Sequence, residues 1–375
     1  MKRLLFVIPE YSHGGTNKSL ENLLGLIDKS KYDISIYCLY EDGGEYYKQV
    51  FSPYILKKSS LYYWMHDNVC TRKVMGLFNK WTKRNNFTII YKREVNLLQK
   101  KNEFNTVIAY QEGIATEFVS YFNNVHKIAW IHFDYAMLKG KVNLLARKKW
   151  YDHYQHVVCV SQAALASMLA VHPEYDAKST YIYNTLNANT IRKACTKRAN
   201  LPYDKNIFNI LSIGRFVAVK QFHKIPEIAH SIRQNTNTPF RWFIIGSGEC
   251  DCLIQSEISK YNLQDVVILL GNQDNPYPYI REANLVACTS VAESFSYVIA
   301  EAKILHTPVI SNDFPVAYEV VDEQTGWIAN IKEMPQLLTR IINDEDGEYS
   351  RKKASVMNYE YSNEEILTKI ETLFQ

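Results

Sequence analysis

The chain has 375 residues, 47% of them hydrophobic and 22% charged, with a formal net charge of +4 at pH 7. That length exceeds one ordinary core and suits two domains of roughly 180 residues, and the composition is that of a soluble globular protein. Charged or polar residues break every apolar run short of the roughly 18 residues a bilayer span needs, which excludes a membrane-crossing helix. Seven cysteines, an odd number without repeating spacing, predict reduced thiols in a cytoplasmic protein.

Taken in order, the first apolar run is LLFVI (4–8). A basic pair precedes it, but Pro9 and Glu10 end it at once, so it reads as a buried strand and not a signal peptide. HGGT (13–16) follows, just before the helical pattern NKSLENLLGLI. Gly14 and Gly15 would let backbone amides approach a ligand, and a helix N-terminus favours an anion; a plain tight turn fits the same residues. ISIYCLY (34–40) is the next strand.

Charge is uneven along the chain. Residues 1–185 carry 24 Lys and Arg against 16 Asp and Glu, whereas the remainder carries 19 against 23. Between positions 57 and 101 stand 11 basic residues, offset only by Asp67 and Glu94, with Trp64, Phe78 and Trp81 interleaved. Such a stretch suits an anionic membrane surface, where each nearby Lys or Arg contributes about 1 kcal/mol. A solvated helix face with core aromatics is the competing reading. Nucleic acid is not expected as a partner, because no helix-turn-helix, zinc-finger or RNA-binding pattern accompanies the charge.

NTVIAY (105–110), KIAWIH (127–132) and HVVCVS (156–161) complete a first set of strands. A stretch without strong periodicity follows. The linker is placed near Asn184 to Asn189, giving domains at 1–185 and 186–359 with a tail at 360–375. FNILSIG (208–214), RWFIIGSG (241–248), VVILLG (266–271), LVACTS (285–290) and TPVISN (307–312) form the second set. Helical segments alternate with strands in both halves. The fold class is therefore α/β, two doubly wound parallel-sheet, Rossmann-like domains, expected to face a central cleft.

In such folds ligands bind at the carboxyl ends of strands, so motifs just after strands are the ones to weigh. In SIGRFVAVKQF, Gly214 ends a strand and Arg215 and Lys220 follow, a fixed cation pair suited to a diphosphate. IIGSGE sets Gly246 and Gly248 at another strand end, where a structural turn is the simpler use. In TSVAESFSYVIAEAKIL, a loop leads into a helix from Ser296, with Glu293 at its entrance and Glu301 in its second turn. Two carboxylates so placed could accept hydroxyls along an extended polar ligand, with the amides of Phe295, Ser296 and Tyr297 between them at the positive helix end. The competing reading is one acid at the helix dipole and one on the surface. Asp344–Glu345–Asp346 lies in a charged connection and reads as solvated surface, and Cys250–Asp251–Cys252 lacks a second pair. No metal site is expected from either.

Taken as an ordered series, Gly214–Arg215 with Lys220, Gly246 and Gly248, Ser290 with Glu293, Glu301, and Pro308–Val309–Ile310 resemble the retaining glycosyltransferases of family 4. These enzymes have the GT-B fold and an E-x7-E motif. The resemblance covers most of the chain and is strongest from about 208 to 330. It implies a first domain that binds the acceptor, with the final helix returning to it, and a second that binds a nucleotide sugar, UDP by family frequency. It implies that Arg215 and Lys220 hold the donor diphosphate, that Glu293 contacts the transferred sugar, and that Glu301 accepts the ribose hydroxyls. His132, in WIHFD, matches the strand-end histidine placed near the sugar, so Arg215, Lys220, Glu293 and His132 would be catalytic. Gly14, Gly15, Gly214, Gly246, Ser290, Phe295, Ser296 and Tyr297 would line the donor, and Asn184 and Glu319 match an interdomain asparagine and a donor-loop acid.

With no Asp-x-Asp after a strand, no metal or other cofactor is expected, and the basic aromatic stretch at 57–101 suggests a glycan or lipid-linked oligosaccharide as acceptor, at the inner face of the cell membrane. Two departures stand out: ESFS replaces E-G-F-G, and DFPVAYE lacks the glycine pair before Glu319. They leave the donor sugar open. A non-catalytic nucleotide-sugar or glycan-binding module, or a sugar-nucleotide epimerase on the same fold, are the alternatives.

Overall fold

The computed structural model describes residues 1–41, 43–64, 87–138, 149–197 and 201–375. It divides into two units, Met1–Leu186 with Asn363–Gln375, and Asn187–Ser362.

The first unit is built on a parallel sheet of β1 (Lys2–Ile8), β2 (Tyr32–Cys38), β3 (Thr106–Ala109), β4 (His126–Ile131), β5 (His156–Cys159) and β6 (Ser179–Tyr181). Their spatial order is β2-β1-β3-β4-β5-β6, with Leu4 aligned to Ile34 on one side and Thr106 on the other. A parallel strand covered on both faces needs an unbroken apolar run, and Leu4, Leu5, Phe6, Val7 and Ile8 are all fully buried. The order reverses between β1 and β3, so the connections leaving those two strands diverge and open a crevice at their carboxyl ends.

The last helix, Glu364–Leu373, belongs to this unit. Phe374 is 1% exposed, and its ring meets Phe6 at 6.2 Å and Tyr32 at 5.7 Å, both edge-on. Asn363 fastens the returning chain to the departing one. Its Nδ2 donates to the Leu186 carbonyl at 2.8 Å, and its Oδ1 accepts the Leu186 N–H at 3.2 Å.

The second unit repeats the plan with β7 (Phe208–Ile213), β8 (Phe240–Ile245), β9 (Val267–Gly271), β10 (Leu285–Cys288), β11 (Val309–Ser311) and β12 (Gly326–Ile328). The order β12-β11-β10-β7-β8-β9 puts the reversal between β7 and β10. A buried relay ties the central strands together: Trp242 Nε1 donates to Ser212 Oγ at 3.0 Å, which donates to the Ala287 carbonyl at 2.7 Å. Trp242 is fully buried, so its N–H needs such an acceptor.

The sequence pattern identifies ten of the described strands and misses β6 and β12. Both are three-residue edge strands. Three residues are too few to show a period of two, and β6 is only partly buried along its length.

The basic stretch also reads differently in three dimensions. Glu94 is 2% exposed and accepts bonds from Tyr37 Oη at 2.8 Å, the Ser59 N–H at 2.9 Å and Ser59 Oγ. It is an internal tie between segments that flank positions 65–86, not a surface acid. Tyr63 and Trp64 are 52% and 59% exposed, so Trp64 is not core. Asp67, Phe78 and Trp81 lie outside the described residues.

Candidate active site

The β7/β10 reversal carries most of the residues singled out by motif. At the end of β7 the turn Gly214–Phe216 packs directly on the turn after β8. The Gly214 N–H donates to the Ile245 carbonyl at 3.0 Å and the Phe216 N–H to the Ser247 carbonyl at 2.8 Å. Gly246, at φ +142°, has no room for a side chain, because a Cβ there would lie 1.9 Å from the Gly214 carbonyl oxygen. Close backbone approach thus accounts for glycine at 246 before any ligand is considered.

This packing presents Arg215 and Lys220 differently. Arg215 is exposed and makes no ion pair or side-chain hydrogen bond among the described residues. Lys220 is engaged: its Nζ lies 2.5 Å from Glu293 Oε1, with side-chain exposures of 22% and 15%. Ser290 Oγ donates to the same oxygen at 2.6 Å. The two loops are stitched together, since Thr289 Oγ1 donates to the Lys220 carbonyl at 2.7 Å and the Val291 N–H to the Val219 carbonyl at 2.9 Å. Asn312 Nδ2, from the end of β11, holds the Ser290 carbonyl at 2.8 Å. A partly buried ion pair gains little net stability after desolvation, but loss of either partner would leave the other charge uncompensated. Burial and the nearby Glu293 carboxylate push the Cys288 thiol above its ordinary range.

The helix after this loop spans Tyr297–Ile304. Glu293 therefore lies in the loop, three residues before the N-cap Ser296, and the interval to Glu301 is helical only in its second half. Glu301 is 2% exposed, which rules out the surface reading, and accepts from Tyr277 Oη at 3.2 Å. Phe295 is buried, with its ring edge-on to Tyr297 at 5.1 Å. Ser296 sits at φ +64°, ψ +70°, and its hydroxyl does not cap the helix. This left-handed backbone, where the resembled family carries glycine, costs an L-residue roughly 1–2 kcal/mol.

In the first unit, Gly14 precedes the helix Gly15–Leu26 in extended backbone, φ −177°, and a Cβ there would meet nothing within 4 Å. The fold does not require glycine at 14. His132 follows β4 with its Nε2 buried and unpartnered among the described residues. Burial alone pushes the imidazole down to about 3, so it is neutral at pH 7. Its ring lies 4.9 Å from that of Tyr110, whose hydroxyl meets Ser19 Oγ at 2.8 Å, and Ser19 Oγ donates to Asn184 Oδ1 at 2.7 Å.

The structure thus gathers Gly214, Lys220, Ser290 and Glu293 at one strand-end cluster, with Gly246 packed beneath it. Glu301 has its own partner, Tyr277. Gly14, Gly15 and His132 belong to the other unit. Motif reading passed over Glu112, whose Oε2 accepts the His132 N–H at 2.9 Å, and Asn312. Glu112 could have been found by the rule applied elsewhere, since AYQEG directly follows a strand. Asp344 of the acidic string accepts from the Ser350 N–H at 3.0 Å and from Ser350 Oγ, which anchors the turn before the helix Glu348–Val356.

Residues 195–360, most of the second unit, match the sequence family described as glycosyl transferases group 1. The chain is 26% identical over 201 residues to an uncharacterized glycosyltransferase of Methanocaldococcus jannaschii, covering 51% of this chain and 49% of that protein. It is 29% identical over 136 residues to the N-acetylgalactosamine-N,N'-diacetylbacillosaminyl-diphospho-undecaprenol 4-alpha-N-acetylgalactosaminyltransferase of Campylobacter jejuni, covering 36% of this chain and 35% of that one. The chain thus spans about half the length of the curated relatives it matches, or less. The structure of Anabaena HepE in complex with UDP and glucose aligns with a TM-score of 0.72 at 17% identity, over 100% of this chain and 99% of that one. At that identity the likeness is one of fold, and the fold is GT-B.

Two outcomes follow from the local geometry. Ser296→Gly should gain about 0.5–1 kcal/mol after the glycine's extra unfolded-state entropy, raising Tm by roughly 2 °C in a thermal melt; a lower Tm would show that Ser296 is not strained. His132 should show no inflection between pH 5 and 8 in an NMR titration of the histidine Cε1 signals, where an ordinary imidazole would titrate near pH ~6.5. Burial also lowers His126 and His156. The unfolded chain therefore takes up protons that the folded one does not, so stability should fall as pH drops below about 6.5.

Proposed function

We propose that the chain is a retaining glycosyltransferase that moves a hexose-type sugar from a UDP-sugar to a hydroxyl of a lipid-linked glycan, in bacterial surface polysaccharide synthesis. The observation that carries this reading is the Lys220–Glu293–Ser290 cluster at the β7/β10 reversal, inside the segment that matches glycosyl transferases group 1.

Each residue then has a chemical task. Arg215 and Lys220 hold the diphosphate and offset the charge that develops as its bond to the sugar breaks. They supply at that point the positive charge that a divalent cation supplies in other transferases, so no metal cofactor is invoked. Glu293 contacts the transferred sugar, and the buried Glu301 accepts the ribose hydroxyls; by the resemblance, the neutral His132 has the role of a sugar contact. The acceptor oxygen attacks the anomeric carbon on the face from which the phosphate departs. The C–O bond to the phosphate breaks, and the acceptor proton passes to the leaving phosphate oxygen. Because Lys220 and Glu293 pair with each other at 2.5 Å, donor binding must exchange that contact for phosphate and sugar.

UDP as the nucleotide draws support from the HepE complex, and a lipid-linked acceptor from the diphospho-undecaprenol in the Campylobacter relative's name. No helix among the described residues is long and apolar enough to cross a membrane. Contact through residues 57–101 at the inner face of the cell membrane would instead be peripheral. With Glu94 turned inward and Trp64 outward, that stretch suits an anionic surface.

Glu301→Ala should weaken UDP binding at least tenfold by isothermal titration, the loss expected for hydrogen bonds to a charged acceptor; an unchanged affinity would remove the ribose assignment. Neutralising Lys80, Lys83 and Arg84 together should cut sedimentation with phosphatidylserine vesicles at low salt by about tenfold or more, and equal binding would end the membrane assignment.

A further inference from the structure

The β3–β4 ladder runs in register from Thr106 opposite His126 to Ala109 opposite Ala129. Its first rung outside the strands is the His126 N–H donating to the Asn105 carbonyl at 3.1 Å. At the other end the Tyr110 N–H makes the last rung to β1, donating to the Val7 carbonyl at 2.9 Å, and the chain then leaves the sheet. Gly113, at φ +91°, makes the sharp bend that follows. The N–H of His132 is thereby left one step beyond the last β3 carbonyl. His132 is partly buried, and an amide taken from water without an acceptor is costly.

Glu112 fills that place. Its Oε2 accepts the His132 N–H at 2.9 Å, doing as a side chain what the next β3 carbonyl would have done. Burial raises the Glu112 carboxyl above its ordinary range, against the pull of the His132 and Glu112 amides. On the same face, Tyr110 contacts both the Trp130 ring at 5.2 Å and the His132 ring at 4.9 Å. Trp130 Nε1 and His132 Nε2 are both buried without a hydrogen-bond partner among the described residues. A polar ligand or ordered water at either atom would supply the partner that the described residues do not.

We propose that Glu112 is a positioning residue: its carboxylate closes the last rung of the β3–β4 ladder at His132 and so fixes the imidazole whose Nε2 meets the substrate. The inference rests on the transferase reading only for what His132 then touches; the coupling of Glu112 to His132 stands apart from it. One acceptor oxygen is all the rung needs, so glutamine can serve and a shorter or apolar side chain cannot.

The full chain carrying ¹³C-labelled histidine, with His132 assigned by His132→Ala, gives the direct readout. Glu112→Gln should leave the His132 ring signal in place, whereas Glu112→Ala and Glu112→Asp should both displace it, with the other histidine signals unmoved as the control for folding. An undisturbed signal in Glu112→Ala, or equal disturbance in Glu112→Gln, would overturn the proposal. Hydrolysis of UDP-glucose supplies the second arm. Glu112→Ala should lower kcat about tenfold with KM within twofold, Glu112→Gln should stay within twofold of the parent, and Glu112→Ala should add little to His132→Ala. Full additivity of the two losses would count against the coupling. Hydrolysis unaffected by His132→Ala, with the NMR result as expected, would instead remove the histidine from the transferase reading and leave the ladder role intact.

Discussion

A parallel sheet must stop somewhere, and where its strands stop at their carboxyl ends the backbone pairing runs out. The groups left there need acceptors, donors or ligands, because the sheet is buried on both faces. Both units meet this constraint, the second at its β7/β10 reversal and the first where β3 parts from β4. In the second unit Thr289 and Asn312 donate to the Lys220 and Ser290 carbonyls, and the Ser290 hydroxyl donates to the Glu293 carboxylate. In the first, a glutamate stands in for the missing rung at His132. In both places main-chain pairing ends and side chains take over.

The charge arrangement follows from that placement. Arg215 extends into solvent while Lys220, on the same turn, is drawn under the β10 loop and neutralised by Glu293. A lone ammonium in a partly closed crevice would be desolvated without compensation, and Glu293 supplies the counter-ion. The left-handed backbone at Ser296 belongs to the same economy of shape. The loop from Glu293 must turn abruptly to start the helix, and the fold accepts a strained serine there.

Buried acids divide into two kinds. Glu94 is fully satisfied by Tyr37 and Ser59 and ties segments of the first unit together. Glu301 is also buried and Glu112 partly so, yet each stands at the end of a motif that follows a strand, beside residues with chemical potential. Composition cannot separate these cases, since all are glutamates in apolar surroundings. Their partners do.

Much of this was legible from the chain alone. Continuous apolar runs such as LLFVI and RWFIIG determine buried parallel strands, because only a strand covered on both faces tolerates them. The ordered Gly-Arg, Lys and Ser-x-x-Glu series places the second unit's cluster, because these motifs follow the ends of β7 and β10. Three-residue edge strands were not legible, for want of enough residues to show a period. Nor was the pairing of Lys220 with Glu293, which are 73 positions apart and meet only because β7 and β10 are neighbours. The inward turn of Glu94 and the rung closed by Glu112 are likewise decisions of tertiary structure. Sequence carries the local periods that define strands and turns; which distant groups share one small volume depends on strand order and on where each ladder ends.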